Sequence, residues 1–542
     1  MSKRAFPWLL LILSLAYLLI GVNRNVSHYD EGLITVDALR VLAGQMPVRD
    51  FWSYYAPGQY YLVAGWFRLL GPSILHERLL AVLLAGLLLT LLYLLAQRLG
   101  AGRWALLAWL VGVAWMGLPL VATNLVTSLL CGLASCYCWV VYLDGGAVAW
   151  GLLAGLAAGL TTLFRHDLGV YTLLGQSVVM LAYHAQARRG WPSLGLYWLG
   201  YAALVAPVVG IFLAQVPHAV LRYDYLDFPR HVYPVVRYLP YPTPWGPLRE
   251  LAAGHLGAGL RDFLDDFPFW LAPTIYVLAL AGLVTGHRRG RVDWATPAPW
   301  GFLLVGAVGL LYAGMAAVRR DVGHLMPTAL PAGVMLAVLV RHAWPAPPAP
   351  RARRWLLGAL LALALAALLA HPVFTRLHLL ADLALHGPGP TFDLPRARGM
   401  VIAPEDGPYQ AVVEWVRANV PPGEPIFVGA YRHDLLFINE VTLYFLAEHP
   451  PATRYEDLVP GTATTAPVQQ EIIGDLQASH VRFVLRAYQE IPPGEHVGPP
   501  GSHLLDDYLA RNFVLVCSWP GYAAYVRGDA LAGLRLTPCP AP

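Results

Sequence analysis

Two adjacent carboxylates lie near the start of the chain, in the sequence His28-Tyr29-Asp30-Glu31-Gly32, directly after the first apolar run. A carboxylate placed just outside a membrane can act as a general base that takes the proton of an acceptor hydroxyl. Neighbouring side chains point in different directions on a helix or a strand, so we expect one of the two to be catalytic and the other structural. Asp30 also precedes a helical pattern, where aspartate is a favoured cap, so helix capping is a second role for it.

Two polar clusters that follow later apolar runs could bind phosphate. The members are Arg165, His166 and Asp167 in the first cluster, and Arg319, Arg320, Asp321 and His324 in the second. The forked guanidinium of arginine suits a phosphate group, so both clusters are candidate phosphate sites. An arginine at the end of a membrane span can also simply extend its charge to the interface or pair with a neighbouring carboxylate. Both interpretations stay open on the sequence alone.

Aromatic and amide side chains follow the carboxylates, in the sequence Tyr54-Tyr55-Ala-Pro-Gly-Gln59. Tyr54, Tyr55 and Gln59 are candidate contacts for a sugar. Tyrosines are also enriched where membrane proteins meet the lipid–water interface, which is the alternative for this stretch. Within a long outer loop at about 215–268, the segment 221–231 could cover a substrate cavity.

The composition places these residues on a membrane protein. The chain has 542 residues, of which 57% are hydrophobic and only 13% are charged, whereas soluble domains carry about 25% charge. The formal net charge of +4 is small, so a nucleic-acid partner is not indicated. Long apolar runs predict a polytopic α-helical protein with about 11 transmembrane helices. The predicted spans are 8–22, 74–99, 104–120, 125–143, 150–164, 170–183, 195–214, 269–285, 300–318, 325–340 and 355–370.

Two further apolar segments, 32–44 and 57–70, are too short to cross a membrane, which needs about 20 residues. We predict that they are interfacial helices in the first outer loop. With the amino terminus inside, nearly every short basic cluster lies on the cytoplasmic side, as the positive-inside rule requires. Counting 57–70 as a span would reverse this pattern. The paired carboxylates, both arginine clusters and the carboxyl terminus then lie outside.

The apolar spans stop near residue 370, and Gly and Pro at 386–390 mark a linker. We divide the chain into a membrane module at 1–372, a linker at 373–408 and a C-terminal domain at 409–542. The predicted elements of this domain are helices at 409–420, 439–446, 468–479 and 503–511, strands at 426–429 and 481–486, and a hairpin of 513–519 with 522–527. They predict an extracytoplasmic α/β domain. It lacks a phosphate-binding glycine motif, so we expect a lid or docking module.

Five cysteines are present, without metal-ligand spacing. Cys131, Cys136 and Cys138 lie in an apolar run and should be buried. Cys517 and Cys539 could form a disulfide if the C-terminal domain faces an oxidising compartment. The carboxylates and histidines would suffice for a divalent cation, but no spacing is diagnostic, so we predict no metal and no other cofactor.

Several stretches of the chain together carry a resemblance to a known group of proteins. The most specific is 28–32, and the others are 44–51, 55–61, 164–169, 320–327, 443–446, 451–455, 460–465 and 469–473. With these motifs the chain resembles the bacterial membrane glycosyltransferases of the GT-C superfamily. That group is related to protein O-mannosyltransferases (glycosyltransferase family 39) and to lipid-A aminoarabinose transferases. The resemblance covers most of the chain.

The resemblance implies a transferase that moves a monosaccharide, a hexose or a pentose, from a polyprenyl-phosphate-linked donor. The acceptor would be a glycan, a lipid or a protein on the outer face of the bacterial cytoplasmic membrane. Asp30 would be the base or the acceptor-orienting group, with Glu31 beside it, and Arg165, Arg319 and Arg320 would hold the lipid phosphate. The implied GT-C fold has a long first outer loop with two membrane-parallel helices.

Two alternatives to a transferase stay open on the sequence. One is a transporter or flippase for lipid-linked saccharides, which would need polar residues at the membrane midplane. The predicted spans contain few such residues. The other is a non-catalytic envelope assembly protein, whose outer domain would bind a partner.

Overall fold

The computed structural model describes residues 4–117, 123–344, 351–403, 406, 408–492 and 494–539. The predicted end of the third span, at Leu120, lies outside these ranges. Within them, a bundle of apolar helices forms the largest core. A second core joins the loop after the first helix to the C-terminal domain.

Each predicted span coincides with an apolar helix in the described residues. Seven helices are long and apolar enough to cross a membrane, an eighth candidate is a bent pair, and three are shorter apolar helices. In chain order the helices are α1 (Phe6–Leu19), α2 (Asp30–Leu42), α3 (Gly58–Leu70), α4 (Ile74–Arg98), α5 (Ala105–Trp115), α6 (Thr123–Leu143), α7 (Ala149–Phe164), α8 (His166–Ala187), α9 (Trp191–Gln215), α10 (His218–Arg222), α11 (Tyr233–Val236), α12 (Trp245–Ala252), α13 (Leu256–Arg288), α14 (Pro297–Val318), α15 (Val322–Ala343), α16 (Arg351–His386), α17 (Tyr409–Asn419), α18 (Thr442–Ala447), α19 (Ala466–Ala478) and α20 (Leu504–Asn512). Wide π-helical turns over Tyr223–Val232 connect α10 to α11.

The last apolar helix is longer than the sequence predicts. α16 continues to His386, past the predicted end of the membrane module at residue 372. Its two halves meet at a bend of 53°. Pro372 lies at this bend, and a proline inside a helix removes one backbone hydrogen bond and clashes with the preceding turn.

Close packing of α7 against α9 places the first arginine cluster. Gly151 and Gly155 lie one turn apart on α7, and a Cβ on either would come within 2.2 Å of the backbone oxygen of Ser193 or 2.0 Å of that of Tyr197. Small residues at this spacing let two membrane helices approach closely. The contact fixes the end of α7, where Arg165 follows.

The two predicted interfacial helices are present as α2 and α3. Helix α3 exposes Tyr61, Leu69 and Leu70, as expected for a helix at the lipid surface. Helix α2 differs from the prediction that it lies on the membrane. Most of its apolar residues are buried in the same core as the C-terminal domain. Protein, and not lipid, therefore covers the apolar face of this helix.

The C-terminal domain has the α/β organisation that the sequence predicts. Its strands are β1 (Phe427–Ala430), β2 (Phe483–Ala487), β3 (Phe513–Trp519) and β4 (Tyr522–Arg527). They form one sheet in the order β1-β2-β4-β3. β1 and β2 are parallel, and the predicted hairpin of β3 and β4 is antiparallel.

The disulfide that the sequence left open is present. Cys517 and Cys539 are joined with their Cα atoms 5.3 Å apart. Disulfides persist in oxidising compartments, so the pair supports an extracytoplasmic C-terminal domain.

The C-terminal domain packs directly on α2, so the segment after α1 and the segment after α16 lie on the same side of the bundle. An even number of membrane crossings must therefore separate them. The ten predicted spans that follow the first one satisfy this condition. The positive-inside pattern assigns that side to the outside of the cell, and this orientation stays a prediction.

Candidate functional site

The motif at 28–32 joins the first outer loop to the C-terminal domain. The imidazole of His28 lies 2.8 Å from a carboxylate oxygen of Asp406 and 3.1 Å from one of Glu440. The hydroxyl of Tyr29 donates to the carboxylate of Asp457 at 2.9 Å. Three residues from distant parts of the sequence therefore hold the two ends of the chain together at this motif.

Gly32 permits a close backbone contact at the same junction. A Cβ at this position would lie 2.3 Å from the backbone nitrogen of Thr442. That nitrogen donates to the carbonyl of His28 at 3.0 Å, and the hydroxyl of Thr442 donates to the carbonyl of Ser27 at 2.7 Å. Any larger residue would push α18 away from α2.

Asp30 is the first residue of α2, one position after the N-cap residue Tyr29, which makes no side-chain capping hydrogen bond. Two neighbours provide the cap instead. The hydroxyl of Ser27 accepts from the backbone N–H of Asp30 at 3.0 Å, and the carboxylate of Glu31 accepts from the N–H of Ser27 at 2.7 Å. This reciprocal pattern is similar to a capping box. The interpretation of Asp30 as a helix cap is therefore wrong, and its carboxylate is left exposed.

Glu31 lies in a different environment from Asp30. Its side chain is 0% exposed and forms an ion pair with Arg78 of α4, which is 1% exposed. Arg78 also donates to the carbonyls of Val22 and Asn25 at 2.8 and 2.9 Å. Successive helical residues point about 100° apart, which explains why Asp30 faces solvent while Glu31 faces the bundle. This burial does not support the predicted catalytic role of Glu31 and indicates that it positions the loop.

Electrostatic interactions connect Asp30, directly or through a shared neighbour, with ionisable side chains from several elements, and we call this network the Asp30 recess. Its members, linked to one another by electrostatic interactions, are Asp30, Tyr55, Arg165, Tyr233, Arg237, Arg319, Asp321 and Asp457. The surrounding protein removes water from the exposed carboxylate of Asp30 and raises its pKa. The charges of Glu31 and Asp321 raise this pKa further, whereas Arg237 lowers it. A carboxylate with a raised pKa is a stronger base once it is deprotonated.

Two of the three predicted phosphate-binding arginines belong to the recess. Arg165 forms an ion pair with Asp167 at 2.8 Å. Arg319 binds Asp321 through Nε at 2.7 Å, and its two terminal nitrogens donate to Glu495 of the C-terminal domain at 2.9 and 2.6 Å. Carboxylates thus hold both guanidinium groups in place, as expected if these arginines pair with neighbouring carboxylates. Both arginines also belong to the recess.

The third arginine points elsewhere. Arg320 pairs with Asp266 of α13 and lies over the ring of Phe269 at 5.6 Å. This pairing indicates an anchor between α13 and the turn that joins α14 to α15, and it does not support the predicted phosphate role of Arg320. His324 remains near the recess, because its Nδ1 lies 2.8 Å from Asp321 and its Nε2 lies 3.3 Å from the hydroxyl of Tyr233.

Tyr54 and Tyr55 form part of an aromatic wall beside the recess. Their hydroxyls lie 3.0 Å apart, and the Tyr54 ring packs 4.8 Å from Phe228 and 6.1 Å from Tyr233, measured between centroids. Gln59 does not join them. Its side chain is buried inside the packing of α3, which does not support the predicted substrate contact.

An apolar cavity of about 530 Å³ lies next to the recess and opens between α9 and the outer loops. Its lining includes Ala56 and Pro57, which follow Tyr55, and His166, which follows Arg165. The ring of His166 packs against Tyr225, which also lines the cavity. His166 thus contributes to an apolar surface, and the predicted phosphate contact gains no support from its position.

One group of side chains in the described residues could hold a metal ion. The ligand atoms of Asp434, His503 and Asp506 lie within 4.8 Å of one another in the C-terminal domain. Arg432 donates to Asp434 at 2.6 Å, and Arg486 donates to Asp506 at 2.7 Å. The carboxylates are therefore already compensated by arginines.

The architecture is similar to that of a known membrane protein. No protein-family model and no curated protein matches the chain. Among solved structures, ArnT from Cupriavidus metallidurans bound to undecaprenyl phosphate matches with 14% identity and a TM-score of 0.56, covering 98% of this chain and 100% of that chain. Its apo state matches with 16% identity and a TM-score of 0.49, with the same coverage. The chain has the fold of ArnT. This result confirms the predicted GT-C architecture, with many membrane helices followed by a C-terminal domain.

Within this ArnT-like fold, sequence reasoning missed two charged members of the recess. Arg237 lies in the long loop between α9 and α13, and in the described residues it has no carboxylate partner; it donates only to the carbonyl of Phe437 at 3.3 Å. Asp457 lies in the C-terminal domain, and burial raises its pKa to about 7. The sequence predicts a cover only at 221–231, and no spacing distinguishes Arg237 from the other arginines of the long loop.

We expect the junction at His28 in this ArnT-like fold to weaken at alkaline pH. Burial opposes protonation of His28, but Asp406 and Glu440 outweigh it and raise the pKa from 6.5 to about 10. A raised folded-state pKa gives stability that is complete below pH 6.5 and is lost as the pH rises through about 10. Thermal unfolding of the wild type and of His28→Asn should therefore differ most near pH 6 and converge above pH 10. The matched control is His255→Asn, since His255 is an exposed histidine. A difference that grows with pH would contradict the assignment.

Proposed function

We propose that the chain is a membrane glycosyltransferase that moves a monosaccharide from a polyprenyl-phosphate-linked donor to an acceptor on the outer face of the bacterial cytoplasmic membrane. One observation carries the proposal: an exposed, uncapped carboxylate, Asp30, shares a recess with Arg165, Arg237 and Arg319. An apolar cavity of about 530 Å³ adjoins the same recess. The similar fold of ArnT, whose structure holds undecaprenyl phosphate, supports the choice of donor class.

Each part of the donor has a complementary surface. The prenyl chain is apolar and would enter the cavity beside α9, where Val209, Leu213 and Leu226 are exposed along its wall. The phosphate would lie at the recess, where guanidinium groups can hold it with charged hydrogen bonds. The sugar would then stand near Asp30, with the aromatic wall of Tyr54 and Tyr55 beside it.

Asp30 would act as the general base. It takes the proton of the acceptor hydroxyl as the acceptor oxygen attacks the anomeric carbon of the sugar. The bond from that carbon to the phosphate oxygen breaks, and the polyprenyl phosphate leaves with the electron pair. Arg165, Arg237 and Arg319 offset the negative charge that develops on the phosphate. The proton stays on Asp30 until the product departs.

The proposal can be tested by following the lipid carrier and the envelope glycans. We expect a strain without this protein to accumulate a polyprenyl-phosphate-linked sugar and to lose one sugar from an envelope glycan, lipid or protein, both detected by mass spectrometry. Complementation with the wild type should restore both. Unchanged lipid-linked sugars together with unchanged envelope glycans would contradict the proposal. Accumulation of the donor only on the cytoplasmic side of the membrane would instead indicate a flippase.

Replacing Arg237 should weaken donor binding. Arg237 is the cation of the recess without a carboxylate partner in the described residues, so it has an unmatched charge to offer a phosphate. We expect Arg237→Gln to raise the Kd for undecaprenyl phosphate about tenfold to a hundredfold, the usual effect of losing a charged hydrogen bond. The Kd of the wild type should also rise with salt.

The matched control is Arg249→Gln, in the same outer loop. Arg249 is exposed on α12, and its variant should bind the lipid phosphate like the wild type. Equal affinities of the Arg237 and Arg249 variants would remove Arg237 from the phosphate site.

A further inference from the structure

A segment of the C-terminal domain reaches the recess and occupies one of its arginines. Glu495 binds both terminal nitrogens of Arg319, and each side chain is only 11% exposed. The Nε of Arg319 is bound to Asp321, and one terminal nitrogen also donates to the carbonyl of Arg237 at 2.9 Å. The edge of Arg319 that would meet a phosphate is therefore covered by a carboxylate of the same chain. A carboxylate presents two oxygens to the guanidinium fork as a phosphate does.

The segment 494–502 is anchored to the C-terminal domain at one end and reaches the membrane module at its tip. The backbone nitrogens of Gly501 and Ser502 donate to the carbonyls of Asp434 and Thr464, both at 2.8 Å. In the described residues, the tip contacts the membrane module through Glu495 and through His496, whose ring centroid lies 6.5 Å from that of Tyr238. Gly494 and Gly498, on either side of Glu495, have φ angles of +87° and +74°, which L-residues with side chains rarely adopt.

Free space lies beside the tip. A cavity of about 490 Å³ is bounded by Val236, by the chain from Gly461 to Ala466 and by Val497 to Ser502 of the segment itself. Val236 directly precedes Arg237 in the chain. This cavity leaves space beside the tip into which the segment could shift.

We propose that the segment 494–502 is a gate, in which Glu495 covers Arg319 until the phosphate of the lipid-linked donor displaces it. The proposal rests on the proposed function, because it needs a phosphate that binds at the recess. Displacement is a competition of two anions for one guanidinium, so the closed state lowers the apparent affinity for the donor. When the segment moves away from Arg319, the cavity at Val236, next to Arg237 in the chain, is no longer covered by the segment. Binding of the donor would therefore open the recess to an acceptor that approaches from the water side.

Binding of undecaprenyl phosphate to the purified full-length protein tests the gate. We expect Glu495→Gln to bind at least about fivefold more tightly than the wild type, because the competing anion is gone; this is the lower end of typical coupling between two binding events. The control is Glu490→Gln, which removes an exposed carboxylate close to the segment, and it should bind like the wild type. Hydrogen exchange supplies a second measurement. Amides of 494–498 should exchange faster in the wild type once the lipid phosphate is added.

Each outcome decides between the proposals. Wild-type binding with no gain in Glu495→Gln overturns the gate and leaves the proposed function standing. Unchanged exchange of 494–498 in saturated wild type also overturns the gate, and this measurement needs no variant to fold. Absence of binding in both the wild type and Glu495→Gln overturns the proposed function, and the gate with it.

Discussion

Asp30→Asn is expected to lower the kcat of sugar transfer about 10²–10⁴-fold, the usual contribution of a general base. Asparagine keeps the shape of the side chain but cannot take the proton of the acceptor. Because Asp30 is exposed and caps no helix, the variant should fold and should bind the lipid phosphate like the wild type. The expected pattern is therefore a large loss of kcat with little change in the Kd for undecaprenyl phosphate. Turnover of the lipid-linked donor by the reconstituted protein measures kcat, and binding of undecaprenyl phosphate to the purified protein measures the Kd.

The pH profile gives a second readout for Asp30. The surrounding protein raises the pKa of this carboxyl group, so transfer by the wild type should fall as the pH drops through that raised value. The residual activity of the asparagine variant should lack this acid limb. Asp393→Asn changes an exposed aspartate of the C-terminal region and serves as the control. Transfer at the wild-type rate by the Asp30 variant would remove it from the reaction.

Arg78→Met is expected to destabilise the protein by about 3–5 kcal/mol, since it leaves the buried charge of Glu31 without a partner. Both side chains are almost wholly buried. The same change frees the carbonyls of Val22 and Asn25, which Arg78 holds at the exit of α1. The wild type and the variant can be compared by thermal unfolding in detergent. The fall in unfolding temperature should be larger than for any exposed substitution.

The double variant Arg78→Met with Glu31→Gln separates the two causes of this loss. It removes the unpaired charge but not the freed carbonyls, so its stability should lie between those of the single variant and the wild type. Arg98→Met, at the exposed end of the same helix, is the control and should be nearly neutral. A wild-type unfolding temperature for Arg78→Met would show that the ion pair does not hold the loop.

The paired carboxylates show where sequence reasoning stops. Their types and their place after an apolar run made both carboxylates candidates, and the resemblance to the GT-C transferases favoured Asp30. Whether Asp30 would cap α2 depended on Ser27 and Glu31, which take over the cap. The partner of Glu31 lies 47 residues away on another helix. No local pattern carries that information.

The arginines show the same limit: the sequence predicts which side chains are candidates but not which groups they contact. The sequence placed Arg165, Arg319 and Arg320 on one face, and two of them reach the recess. Arg320 turns to Asp266 instead, because that carboxylate stands on the neighbouring helix. Arg237 and Glu495 enter the site from loops, whose course depends on contacts with distant parts of the chain.

The sequence by itself determined the elements, since an apolar helix, an amphipathic helix and a strand each follow from periodicity within a few turns of chain. It predicted the helical spans, the four strands and a candidate acidic motif at 28–32, and it left open whether Cys517 and Cys539 pair. Only the tertiary structure decided what that motif contacts. His28 meets Asp406, 378 residues away, and Tyr29 meets Asp457, 428 residues away. Contacts of this kind depend on how two cores pack against each other, so the same five residues are both the junction of the molecule and the edge of its candidate site.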